Sequence, residues 1–314
     1  MGEMMDTQQP RETVTSNSQR QTEATFGFKW KKRATYESPS VQAEVRRWLF
    51  EKYFDNDEQR LDKLLNAHMG EKPPKRILDA GCGSGVSSLL LFGERLKQCH
   101  YLGADISEAV KVAQERFAER NIPARFEQCD LNAIPEHCGN FDIIFSEGVL
   151  HHTDSVERAI ASLTRRLNPS GVFLFYVYAK KAPIREYTDD LIRQAIAPLD
   201  NEDAWRTLEP LTKFGKLLGD LDIEIVIEED IPYLGIEKGR HNLQRLFFYK
   251  FCKAYYRSDY TLDEMNHINF DWFRPLNCFR HTPDEVDRFC KSAGLCIERM
   301  HVGESGITVI ARKP

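Results

Sequence analysis

The chain has 314 residues, 41% of them hydrophobic and 29% charged, with a formal charge of −5. That is enough chain for one large domain or a core with a sizeable insertion. Mild acidity supplies no global pull toward nucleic acid or anionic lipid, and no run approaches the roughly 18 apolar residues that a membrane span requires.

The N-terminus has no apolar core segment of the signal-peptide kind, and Asp6 stands where a myristoylation signal needs Ser or Thr. The cysteines at 82, 99, 129, 138, 252, 278, 290 and 296 include no C-x-x-C pair, and several lie in apolar runs. Free thiols, a reducing cytoplasmic setting and no bound metal are the expectation.

Residues 1–24 are rich in Gln, Thr, Ser and charge, and are expected to be a disordered tail. Residues 25–70 begin with Thr25-Phe26-Gly27-Phe28-Lys29-Trp30-Lys31-Lys32, where aromatics alternate as in a strand. Two readings compete for it: a lid strand that brings Trp30 over a ligand, or a segment that only docks its rings on the core. Val41, Val45, Trp48, Leu49 and Phe50 then give a helical period, and Leu61, Leu64 and Leu65 a shorter one. Gly70 and Pro73-Pro74 are expected to close that segment.

Residues 71–178 read as a core of alternating strands and helices. Arg76-Ile77-Leu78-Asp79-Ala80 is an apolar strand running into Gly81-Cys82-Gly83-Ser84-Gly85, and Val86–Phe92 is the helix beyond. Glycines here let the chain turn tightly and let a ligand approach, and the turn is expected to leave N–H groups free at the helix start. The third glycine comes one residue too early for the dinucleotide pattern G-x-G-x-x-G. Residues 99–107 form the next strand, ending in Asp105-Ile106, at the spacing where an acid meets a ribose hydroxyl pair. Residues 125–131 end in Asp130-Leu131, residues 141–153 run from a strand through Glu147 to His151-His152, and residues 167–175 carry Leu167-Asn168-Pro169-Ser170-Gly171 before a fifth strand.

Five such stretches in order resemble the motifs of class I S-adenosylmethionine (SAM) dependent methyltransferases, of the small-molecule kind found in ubiquinone biosynthesis. The first is similar to (V/I)LD-x-G-x-G-x-G, the fourth to the "LHH" loop, and the fifth to L-(K/R/N)-P-G-G with Ser170 in place of a glycine. The resemblance implies an α/β, Rossmann-like, doubly wound and mostly parallel sheet. It also implies SAM as cofactor and S-adenosylhomocysteine (SAH) as product. The cofactor residues it implies are Asp79, Gly81, Cys82, Gly83, Asp105, Ile106, Asp130, Leu131 and Glu147, with Trp30 added from the preceding segment. No Asn-Pro-Pro-Tyr stretch follows the fourth strand, which speaks against methylation of nucleic-acid amino groups.

Residues 179–280 depart from the minimal pattern. Their period is mostly helical, and an insertion at the carboxyl edge of such a sheet would roof the pocket as a substrate cap. Its arginines suggest a polar or anionic acceptor held by some of Arg185, Arg240, Arg245 and Arg274, with Tyr178 beside them. His152, His151 and His241 are the candidate catalytic bases. Residues 281–314 complete the sheet: Thr282 and Pro283 start a helix, Gly294 ends it, and two strands flank a Gly-Glu-Ser-Gly turn. The leading expectation is methyl transfer in the biosynthesis of a small metabolite. The alternatives are a tRNA-modifying enzyme using SAM or a modified SAM, which the basic run Lys29, Lys31, Lys32, Arg33, Arg46, Arg47 would serve, and a non-catalytic SAM-fold partner. The oligomeric state is open, a homodimer included.

Overall fold

The computed structural model describes residues 16–66 and 75–314. The expectations for residues 1–15, and for the Gly70 and Pro73-Pro74 stop, lie outside the described residues.

Three helices precede the sheet: α1 (Asn17–Lys31), α2 (Pro39–Phe54) and α3 (Glu58–Asn66). The core then runs β1 (Arg76–Ala80), α4 (Val86–Phe92), β2 (His100–Asp105), α5 (Ala109–Glu119), β3 (Ala124–Gln128), β4 (Phe141–Glu147), α6 (Val156–Arg165) and β5 (Leu167–Tyr178). The insertion holds α7 (Pro183–Ile196), α8 (Asn201–Asp220), β6 (Glu224–Ile227), β7 (Gly239–Asn242), α9 (Leu243–Lys250) and α10 (Leu262–Phe273). Last come α11 (Pro283–Ser292), β8 (Cys296–Val302) and β9 (Gly306–Arg312).

The seven-stranded sheet has the order β3-β2-β1-β4-β5-β9-β8. β1 through β5 pair in parallel, while β9 pairs antiparallel with both β5 and β8. The central strands are apolar because both faces are covered. On one face Leu78, Ile144, Phe173 and Val309 pack with Ile160 and Leu163 of α6 and Val286 of α11. On the other, Ile77, Ile143, Phe145 and Leu174 pack with Leu49 and Tyr53 of α2, Phe92 of α4 and Phe117 of α5. That division follows the two-residue alternation of a strand. Chain order reverses between β1 and β4, and the crevice at such a reversal, at the carboxyl ends of the strands, is where open α/β sheets bind ligands.

The insertion is helical as expected, with one addition, the short β6–β7 ribbon. It is not a separate body. Tyr176 and Tyr178, at the end of β5, join Ile196 of α7, Trp205 and Leu208 of α8, and Phe270 of α10 in one cluster. The expected Thr282 cap forms a reciprocal capping box with Glu285, and Pro283 occupies the first turn of α11.

The N-terminal segment needs correction. Residues 17–24 are expected in a disordered tail and residues 25–32 either as a lid strand or as a segment docking its rings on the core; residues 17–31 form one helix instead, with Phe28 packed on the cluster beneath the cap. Its polar side chains are the reason. Gln21 donates to the Arg274 carbonyl at 3.0 Å and its Oε1 accepts from the Leu276 amide at 2.9 Å. Asn277 donates to Gln19 at 3.1 Å, and Ser16 donates to Asp154 at 2.6 Å. A helix docked by hydrogen bonds does not show the apolar stripe that composition reading looks for.

Candidate functional site

At the end of β1 the chain enters three left-handed glycines, Gly81, Gly83 and Gly85, with φ of +87°, +48° and +77°. A side chain could not fit there: a Cβ on Gly81 would lie 2.3 Å from Val149, and one on Gly83 would lie 2.7 Å from the Trp30 indole nitrogen. The turn differs from the expected anion cradle. Its amides are already used, Gly81 and Cys82 donating to the Ala104 carbonyl at 2.7 and 3.0 Å, and Gly83 to Asp105 at 2.8 Å. The turn therefore offers space beside carboxylates rather than a row of free donors, which suits a ligand without a pyrophosphate.

Asp79 is buried at the tip of β1. Its Oδ2 accepts from Ser88 and Tyr101, each at 2.6 Å, and burial raises its pKa to about 6. Asp105 ends β2, accepting from the Ser107 amide and hydroxyl through Oδ1 and from Gly83 through Oδ2; burial pushes its pKa up as well. Asp130 follows β3 and caps a short turn through Asn132, leaving Oδ2 without a protein donor among the described residues. Glu147 ends β4 and is held by an ion pair with Lys52 and by the Tyr53 hydroxyl at 2.7 Å. Burial brings the Lys52 ammonium down to about 7, with Glu147 opposing that fall.

These strand tips open on a cavity of about 830 Å³ that reaches from the glycine turn to the underside of the insertion. Gly81, Gly83, Asp105, Ile106, Asp130, Leu131 and Glu147 line it near the strand tips. Asp79 and Cys82 face a small recess next to it, shared with Trp30 and Glu147. Trp30 lies on Gly83, edge-on to Tyr36 at 5.0 Å, with the Lys29 ammonium 3.9 Å from its ring centre.

His152, Tyr178 and Arg185 line the same cavity. The His152 Nδ1 lies 2.6 Å from the Asn277 carbonyl, so that nitrogen carries the proton and Nε2 keeps its lone pair. Burial lowers the pKa of His152 to about 4, so it is neutral at physiological pH. Tyr178 donates to Asp271 at 3.1 Å, and Asp271 is ion-paired with Lys29. Burial works against the Asp271 carboxylate, but Lys29, His152 and Lys253 outweigh it and hold its pKa well below the usual range.

Four expected site residues lie elsewhere. His151 is fully buried behind the cavity wall, stacked on Tyr178 at 3.6 Å, because its side of the loop points into the core. His241 and Arg240 sit on β7, away from the cavity: His241 bonds the Glu237 carbonyl at 2.7 Å, and Arg240 pairs with Glu224 at 3.5 Å in the open. Arg274 is buried but faces the start of α8, donating to Asn201 at 2.9 Å and the Leu199 carbonyl at 2.7 Å. Sequence reading did not single out Lys52, Lys253 or Lys29 as site residues. Each belongs to a helix or loop whose burial is set by tertiary packing, and none stands in a motif. Asp271 was missed as well, because its pairing across to α1 gives no local signal.

Among the described residues, Glu127, His137 and Cys138 bring possible ligand atoms within 4.8 Å of one another, away from this cavity and with His137 exposed.

Residues 71–204 match a family model described as a methyltransferase domain. This stretch belongs to the class I SAM-dependent methyltransferases. The chain is 38% identical over 132 residues to an uncharacterised protein of Synechococcus sp., covering 40% of this chain and 30% of that one. It is 34% identical over 116 residues to trans-aconitate 2-methyltransferase of Deinococcus radiodurans, covering 37% and 42%. A ubiquinone biosynthesis O-methyltransferase of Marinobacter nauticus is 29% identical over 189 residues, covering 49% and 76%. The chain spans less than half the length of the first of these relatives.

Proposed function

We propose that the protein transfers the methyl group of SAM to a small-molecule acceptor bound under the cap, releasing SAH. The observation that carries this is the single cavity joining the glycine turn at the sheet's switch point to Tyr178 and Arg185 beneath the insertion. When bound, SAM supplies an activated methyl on a sulfonium, so the chain's task is mainly to position two partners and exclude water.

The residues at the strand tips fit such a cofactor. Gly81 and Gly83 leave room for its amino-acid portion, and Asp79 with Glu147 supplies negative charge for its ammonium group. Asp105 keeps lone-pair capacity on Oδ2 for a ribose hydroxyl, with Ile106 alongside. Asp130 through its unengaged oxygen, with Leu131 as an apolar wall, suits an adenine edge and face. Trp30, lying on Gly83, closes the amino-acid end from solvent. On the acceptor side, His152 lines the cavity, and its Nε2, buried without a hydrogen-bond partner among the described residues, is the basic atom that a bound acceptor would engage. It takes a hydrogen bond from an acceptor hydroxyl, and then its proton as methylation turns that oxygen into a strongly acidic oxonium. Tyr178 and Arg185 hold the acceptor.

The basic run that would serve tRNA is neutralised. Lys29 pairs with Asp271, Lys31 with Glu108, Lys32 with Glu202, Arg33 with Glu37, Arg46 with Glu58 and Arg47 with Glu44. No uncompensated stripe remains there for a phosphate backbone. Labelled methyl transfer from SAM into a cell extract, split into small-molecule, RNA and protein fractions, tests the reading. Label in the small-molecule fraction is expected. Label confined to RNA or protein, or no calorimetric heat with either SAM or SAH, would overturn it.

A further inference from the structure

The cap end of the cavity contains more positive charge than the protein itself compensates. Arg185, on the first turn of α7, is 2% exposed, and Lys253, just beyond α9, is 8% exposed; both line the cavity. Arg185 uses only Nε on a protein acceptor among the described residues, Asp189 at 3.2 Å. Lys253 has no acceptor for its ammonium among them; its closest recorded neighbour is the Trp272 ring, 4.8 Å from ammonium to centroid. Lys181, also on the cavity wall, donates to the carbonyls of Glu304 and Ser305 at 2.6 and 2.7 Å, which carry no full charge.

The acids within reach are committed elsewhere. Asp189 accepts from Arg185, from the Trp272 indole at 2.8 Å and from the Lys253 amide at 3.2 Å. Asp271 is taken by Lys29 and Tyr178, and Glu186 by Arg280 and the Lys181 amide. The terminal nitrogens of Arg185 and the Lys253 ammonium therefore have no carboxylate hydrogen bond among the described residues, while Asp271 and Asp189 favour the charged form of Lys253 only through space. Asp189 fixes the positions of Arg185, Lys253 and Trp272 together, as a built site requires.

We propose that Arg185 and Lys253, assisted by Lys181, bind an oxyanion carried by the methyl acceptor, a carboxylate or a phosphate monoester, with the aromatic walls of Trp272 and Phe248 against the adjoining part of the molecule. The guanidinium keeps both terminal nitrogens for a forked contact with two oxygens, and the lysine adds a point charge. Phe248 lies 4.6 Å from the Arg185 guanidinium, so an apolar body next to the anion would extend an existing cation–ring stack. This assignment rests on the reading of the cavity as a methyl-acceptor site.

Calorimetry on the full chain saturated with SAH, using benzoate, phenyl phosphate and neutral benzamide as probes, tests it. Benzoate or phenyl phosphate is expected to bind and benzamide not to; the tighter of the two anions names the source. Lys253→Met and Arg185→Gln should each weaken the anion by about tenfold or more while leaving SAH affinity unchanged. Equal binding of benzamide, or anion binding unaffected by both substitutions, overturns the anion site. Loss of SAH binding by the unaltered chain would overturn the methyl-transfer reading instead.

Discussion

Asp79 shows how one side chain couples ligand to proton. Burial has raised its pKa to about 6, from an ordinary value of 3.8. A group with a raised folded-state pKa contributes stability that is fully present below about 4 and is lost as the pH climbs through about 6. A ligand ammonium placed beside it reverses that, favouring the carboxylate and expelling the proton. SAM binding is therefore expected to release about half a proton at pH 6 and close to none at pH 8. Calorimetry in buffers of different ionisation enthalpy measures this directly. A buffer-independent heat at pH 6 would remove Asp79 from the ligand's surroundings. Ser170 teaches a different lesson at the same scale. It stands at φ +61°, where the family pattern carries glycine, so the turn keeps its left-handed shape with a residue that tolerates it less well.

At the scale of the element, α1 is the informative case. It bridges core and cap: Ser16 reaches Asp154, Gln21 reaches residues 274 and 276, and Lys29 pairs with Asp271 on α10. Lys29 is nearly fully buried, so its ion pair does what an apolar stripe does for an ordinary amphipathic helix. Lys29→Met should leave the Asp271 carboxylate underpaired, lowering stability by about 3 kcal/mol and speeding amide exchange across residues 17–31 more than in the sheet. Unchanged exchange in that stretch would show that the polar contacts near residues 274–277 suffice to hold the helix. The cap helices α7, α8 and α9 were legible as helical from their spacing. Which of their charges face the cavity was not, because helical period locates an apolar face and says little about where a buried arginine points.

At the scale of the whole molecule, core and cap share packing. Tyr176 and Tyr178 leave the sheet and enter the same cluster as Trp205, Phe270 and Trp272. Phe28 of α1 and Trp48 of α2 pack against that cluster too. A body joined in this way is expected to unfold in one transition, detected alike by aromatic fluorescence and far-ultraviolet dichroism. SAH at a hundred times its dissociation constant should stabilise it by about 2.7 kcal/mol. An early transition confined to the cap would contradict this picture, since it requires the tyrosines at the end of β5 to part from the cap without disturbing the sheet.

Strand order, the glycine turn and the acids at the strand tips were readable because each is local. An apolar run, a left-handed glycine and an acid at a fixed distance leave their mark within a few dozen residues. The start of the last helix was readable for the same reason, from the return of a capped helical pattern at Thr282. Only the tertiary structure decided the rest. It set His152 on the cavity wall and turned His151 into the core; it kept Arg185 and brought Lys253 to it while carrying Arg240, His241 and Arg274 away. Those outcomes depend on which distant groups meet, as Asp189 meets Trp272 and Asp271 meets Lys29, and no spacing along the chain encodes a meeting across 80 or 240 residues.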